Sequence, residues 1–154
     1  MGILYDYFRA ATPDVVVDLM DRNDAGSPAS ADGWPTPVVG LKAVDPAVVL
    51  GRLVGFIDPA VSTRDELVWP AGGEQDAEHM GPWVTVLDDR SRDALAGLDA
   101  ARIPEIAGRW ARIEEFGHYD DNTDEAAAET ITELAGLARD ARDSGERVYC
   151  WICL

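Results

Sequence analysis

Two histidines limit what this chain can catalyse, because a serine or cysteine nucleophile would need His79 or His118 as its base. His118 lies in Glu114-Glu115-Phe116-Gly117-His118-Tyr119-Asp120-Asp121-Asn122-Thr123-Asp124-Glu125, where six carboxylates crowd one turn. Hard cations take several oxygen ligands, and Asp-rich turns can supply them. The alternating acids and closing bidentate Glu of an EF-hand loop are missing, however, so no metal is predicted here. His118 beside a carboxylate has the makings of a general base. A turn between helices uses the same residues more simply, with Asp124 and Glu125 favouring the next helix's N-terminus. Glu114, Glu115, His118, Tyr119, Asp120 and Asp121 are therefore the candidate binding surface, read as contacts for a partner and not as catalytic groups.

The other histidine sits in Glu74-Gln-Asp-Ala-Glu78-His79-Met80. Adjacent residues do not share a helix face, and the flanking glycines predict a mobile loop. Trp34, Trp69 and Trp83 lie in or beside two Pro/Gly-rich stretches, residues 23–37 and 70–82. Loop tryptophans either plug the edge of a core or wall a pocket and anchor an interface. In the second case Trp34, Trp69 and Trp83, with His79 as acid or base, form an alternative site for a small molecule or a hydrolytic reaction.

Cys150-x-x-Cys153 invites a redox or zinc reading, but its context argues against both. Val148, Tyr149, Trp151 and Ile152 make Arg147 to Leu154 a strand that is apolar on both parities, hence buried on both faces. Side chains alternate along a strand, so cysteines three apart point to opposite faces. They are read as two buried thiols that behave as small hydrophobes. Ser27, Ser30, Ser62, Ser91 and Ser144 fall where caps and turns use serine. Gly72-Gly73 and Gly51-x-x-x-Gly55 lack the lysine of a phosphate loop, and the second pair suggests a helix packed closely on its neighbour. No cofactor is predicted.

The elements around these residues announce themselves by caps and periodicity. Residues 2–9 suit a first strand. Thr12-Pro13-Asp14 is a helix start, followed by the stripe Val15, Val16, Leu19 and Met20. Val38 to Val44 suits a short strand. Asp45-Pro46 opens a helix to about Phe56 with Val49, Leu50, Leu53 and Val54 inward. Ser62 to Glu66 has capping-box spacing and predicts a short turn of helix before Trp69-Pro70. Trp83 to Leu87 alternates as a strand. Asp88 caps a helix carrying Leu95 and Leu98. Asp99 opens another, with Ile106, Trp110 and Ile113 on one face. Thr123 starts the longest helix, with Ala127, Ile131, Leu134, Ala138 and Ala141 buried, and Gly145 stops it. The expected architecture is one α+β domain spanning 1–154. It has a small mixed or mostly antiparallel sheet, about five helices and a buried C-terminal strand.

Composition narrows the partners. The 154 residues carry 29 acids against 13 bases, a formal charge of −16. Such a field repels nucleic acid and anionic lipid, and it steers a basic partner inward. No apolar stretch approaches the roughly 20 residues a membrane helix needs. The N-terminus lacks the basic region of a signal peptide, and two cysteines make no disulfide framework. A cytoplasmic protein is the expectation.

The second half resembles a known family. The features are Leu95-Ala-Gly-Leu-Asp99, the ensuing helix, an acidic aromatic turn, a long acidic-to-basic helix, Gly145-Glu146 and a terminal apolar strand. These, with Met1-Gly2 and the Tyr7-Phe8 pair, resemble the YfbM-like family of small bacterial proteins. The resemblance implies an α+β fold and supplies no catalytic residues. With no nucleophile, phosphate or metal motif, the expected role is to bind another macromolecule. An immunity or inhibitor protein for a basic partner, such as a nuclease, fits the charge.

Overall fold

The computed structural model describes residues 2–72, 77–117 and 122–154. Five strands form one sheet: β1 (Leu4–Ala10), β2 (Val39–Lys42), β3 (Asp65–Trp69), β4 (Trp83–Leu87) and β5 (Arg147–Cys153). The helices are α1 (Pro13–Arg22), α2 (Val49–Ile57), α3 (Asp89–Ala96), α4 (Ile103–Trp110) and α5 (Asp124–Asp143). The strand order is β2-β1-β5-β4-β3, and every neighbouring pair is antiparallel. The α+β class is as expected, and the sheet is antiparallel throughout.

The C-terminal strand holds the centre. β5 pairs with β1 from Ala10↔Arg147 to Leu4↔Cys153, and on its other side with β4. Period-2 alternation then sorts its side chains between two cores. Val148 and Cys150 join Tyr5, Tyr7, Val39 and Leu87 under α2 to α5. Tyr149 and Trp151 join Phe8, Val84 and Val86 on the opposite face, under Val16, Leu19 and Met20 of α1. Both faces of β5 are thus covered, as its unbroken apolar run requires.

Three of the core aromatics bond their polar tips to backbone carbonyls, whereas the Tyr149 hydroxyl is buried with no partner among the described residues. The Tyr7 hydroxyl donates to the Val44 carbonyl at 2.6 Å and the Trp110 indole to Val49 O at 2.9 Å. The Trp151 indole donates to Ala25 O at 2.9 Å. Cys150 is buried and Cys153 is half-buried, on opposite faces. The expectation of two buried thiols is corrected for Cys153, which pairs with Leu4 at the open end of the sheet.

Helix ends follow their sequence signals. Thr12 accepts from Val15 N with Pro13 in the first turn, and Thr123 accepts from Ala126 N. Gly145, at φ +67°, ends α5: its amide donates to Arg142 O and that of Glu146 to Ala141 O. This pair of bonds is the Schellman closure, and it turns the chain straight into β5.

Two expectations fail. Ser62 to Glu66 does not begin a helix: Asp65 to Trp69 is β3, paired with β4. The polar groups that would have capped a helix are taken by α3. The Asp88 carboxylate accepts from the Arg64 amide at 2.8 Å, and Ser91 Oγ donates to Thr63 Oγ1 at 3.1 Å. Nor do Gly51 and Gly55 serve close packing. A Cβ on Gly51 would meet Thr63 at an ordinary 3.7 Å, and one on Gly55 would meet nothing within 4 Å.

Candidate functional site

His118, Tyr119, Asp120 and Asp121 lie outside the described residues. Their flanks are structural. Glu114 and Glu115 open a 3-10 turn that buries Phe116 edge-on against Trp110, centroids 5.2 Å apart. Glu115 pairs with Arg52 at 3.1 Å. A hydrogen bond from its own amide, with Arg52, holds the carboxyl below the usual glutamate range against the cost of desolvation. On the far side, the Asn122 side-chain amide donates to Ala111 O at 2.9 Å.

Of the alternative site, Trp69, His79 and Trp83 come together and Trp34 does not join them. His79 is half-buried, edge-on to Trp83 at 5.4 Å and to Trp69 at 6.4 Å. Its Nε2 donates to the Pro82 carbonyl at 2.9 Å, which occupies one ring nitrogen. His79 is thus packed between two indoles. Trp34 instead packs edge-on to Phe8 at 5.7 Å. It lines a cavity of about 510 Å³ with Leu19, Arg22, Asn23 and Ser30, and a smaller one with Pro28 and Thr36. Neither is lined by Trp69, His79 or Trp83. The indole Nε1 of Trp34 and the Thr36 hydroxyl are buried with no hydrogen-bond partner among the described residues.

A feature that sequence reading passed over lies on α5. Its buried stripe faces the sheet, and its outer face exposes Glu125, Glu129, Glu133 and Asp140. At 100° per residue these four fall within an 80° sector. Some other acids do pair with cations: Glu146 with Arg9, Asp89 with Arg92 and Arg147, Asp124 with Arg112. Among the described residues no cation pairs with the four on α5. The signal was present as acids repeating every fourth residue from Glu125, but attention to the apolar stripe hides the opposite face.

This row borders a groove of about 380 Å³ between α5 and the entry to β2. Its walls are Pro37, Val38 and Val39 on one side and Thr132, Glu133, Gly136, Leu137 and Asp140 on the other. Among the described residues, no group of three His, Cys, Asp or Glu side chains could hold a metal ion, and no helix is long and apolar enough to cross a membrane. No family model matches the chain, and no curated protein or solved structure shows significant similarity to it.

Proposed function

We propose that this protein is a binding module for a basic macromolecular partner, of the kind an immunity or inhibitor protein makes with a cationic enzyme. One observation carries the reading: the row Glu125, Glu129, Glu133 and Asp140, exposed on α5 and left without counter-charges. Like charges one turn apart cost a helix about 0.2–0.5 kcal/mol per pair. Complementary charge mainly accelerates encounter and selects partners. The sequence just before α5 is acidic as well, with Asp120 and Asp121. Kinship with the YfbM-like family is proposed on the order of elements, chiefly in the C-terminal half, together with Met1-Gly2 and Tyr7-Phe8.

The test begins with complexes isolated from native cells at low salt. The partner identified should be basic. Its association with the purified protein should slow at least tenfold as ionic strength rises from about 0.01 to 0.15 M, where the screening length falls from about 30 to 8 Å. An acidic partner, or an on-rate indifferent to salt, overturns the reading.

A second reading, small-molecule binding, draws on the cavity at Trp34, whose unpartnered indole N–H and neighbouring Thr36 hydroxyl are donors awaiting acceptors. A compound that stabilises the protein thermally, and ceases to do so in Trp34→Phe, would favour it. The hydrolytic version is unsupported, because His79 lines neither cavity and is tied to Pro82.

A further inference from the structure

Three features meet at the groove beside the start of β2. First, β2 is an edge strand, paired with β1 on one side only. Among the described residues nothing bonds to its outer edge, so every second residue presents a free amide and carbonyl. Second, the wall facing it carries Gly136 in the middle of the 20-residue α5. Glycine costs a helix interior about 1 kcal/mol relative to alanine. A Cβ there would meet nothing within 4 Å, so packing gives no reason for it. A large side chain there would project into the groove, which Gly136 lines. Third, Glu133 and Asp140 flank that opening, and Glu129 stands one turn before.

We infer that this groove accepts an extended, basic segment of the partner, which adds to β2 as a sixth strand alongside Glu133 and Asp140 of α5. The inference rests on the binding-module reading and deepens it. An added strand would satisfy the outer amides and carbonyls of β2 by main-chain hydrogen bonds, which give affinity whatever the sequence. Specificity would come from the side chains. Those on one face of a strand repeat about every 6.7 Å, and the two carboxylates that line the groove, Glu133 and Asp140, stand about 10.5 Å apart along α5. Long, flexible Lys or Arg side chains on that face of the segment reach both. The residues between them face away from the helix and are free to be polar. Val38, Val39 and Leu137 give the stems of those basic side chains an apolar floor, which long cationic side chains cover well. Lys42 marks the far end of β2, where an edge is commonly blunted by a lysine, and so sets where the segment must stop.

The experiment uses three labelled peptides of equal length. One alternates Lys with Thr and Val. The second has the same composition of charges with prolines at alternate positions, which removes main-chain donors. The third has Glu for Lys. Binding to the full chain is measured by fluorescence anisotropy, and amide exchange in residues 38–42 is followed by mass spectrometry. The Lys/Thr/Val peptide should bind and slow exchange of β2. Its Kd should rise at least tenfold in Gly136→Leu, which fills the groove without touching the charges and puts a better helix former in α5. Glu133→Gln with Asp140→Asn should weaken it comparably. Equal binding of the proline peptide, or an unchanged Kd in Gly136→Leu, overturns strand addition while leaving the acidic-surface reading intact. Failure of all three peptides to bind overturns it as well, and the salt dependence of the native partner then decides the broader reading separately. Tight binding of the Glu peptide would overturn both.

Discussion

At the scale of single residues, Cys150 and Cys153 behave differently because a strand sends them to different surroundings. Burial pushes the Cys150 thiol well above its usual pKa, and a hydrogen bond with Tyr7 offsets only part of this. Tyr7, completely enclosed, is likewise raised by burial first and by Cys150 second. Thiolate is the reactive form, so Cys150 is inert and half-buried Cys153 is the thiol within reach. Maleimide should label Cys153 alone in the folded protein and both cysteines in denaturant. Labelling of Cys150 in the native state, or a disulfide between the two, contradicts the assignment. The same burial predicts a pH dependence. In the unfolded chain the thiol ionises near pH 8.5 and the phenol near 10, whereas the folded state keeps both protons to higher pH. Above about pH 8.5 the native state therefore binds more protons than the unfolded one, and stability falls as pH rises. Cys150→Ala should flatten the first part of that decline, measured as urea midpoints from pH 7.5 to 10.

At the scale of elements, Asp88 is the clearest case of one side chain serving two segments. It caps α3 by accepting from Ser91 N at 2.9 Å, and it accepts from the Arg64 amide at the start of β3. Burial would raise its pKa. The bonds from Arg64 and Ser91 outweigh that and hold it below the ordinary aspartate range. Its contribution is thus present above about pH 3.9 and fades as pH falls through the lower folded value. Thr12 on α1 is a cap alone, its oxygen 3.4 Å from Val15 N. Thr12→Ala should cost about 0.5–1 kcal/mol, and Asp88→Ala closer to 2, by urea denaturation at pH 7. Equal losses would mean that Asp88 only caps. This pair also shows what the chain discloses of itself. The caps at Thr12, Asp88 and Thr123, and the glycine stop at Gly145, are local chemistry and were legible. β3 was not, because Ser62 to Glu66 carries a local helix-start pattern that pairing with β4, some 20 residues onward, overrides. The burial of β5 on both faces was legible from composition. Its position between β1 and β4 belongs to topology, which no local pattern encodes.

For the whole molecule, the question is whether a charge of −16 serves solubility or recognition. The two uses distribute acids differently. Solubility is served by acids anywhere on the surface, preferably relieved by nearby cations, as at Arg92 with Asp89 and Asp93. Recognition concentrates unrelieved charge where a partner docks, and it tolerates the self-repulsion. The candidate site was half legible for this reason. The excess of acid was plain in composition, but which acids α5 turns outward appears only once the apolar stripe has fixed which face is inward. The distinction yields a prediction with opposite signs. Glu129→Gln with Glu133→Gln removes two repulsive i, i+4 contacts, Glu125 with Glu129 and Glu129 with Glu133, worth about 0.4–1 kcal/mol together. For a chain of this size that raises the thermal midpoint by about 1–4 °C. Added salt should raise the wild-type midpoint too and close the gap between the two proteins, since both effects screen the same repulsion. If α5 is the docking face, the more stable variant must also bind its basic partner at least tenfold more weakly, chiefly through a slower on-rate. Stability gained with binding intact would return the acids of α5 to the role of solubility. Stability lost would mean that the row has counter-charges after all, and that α5 is not the face to pursue.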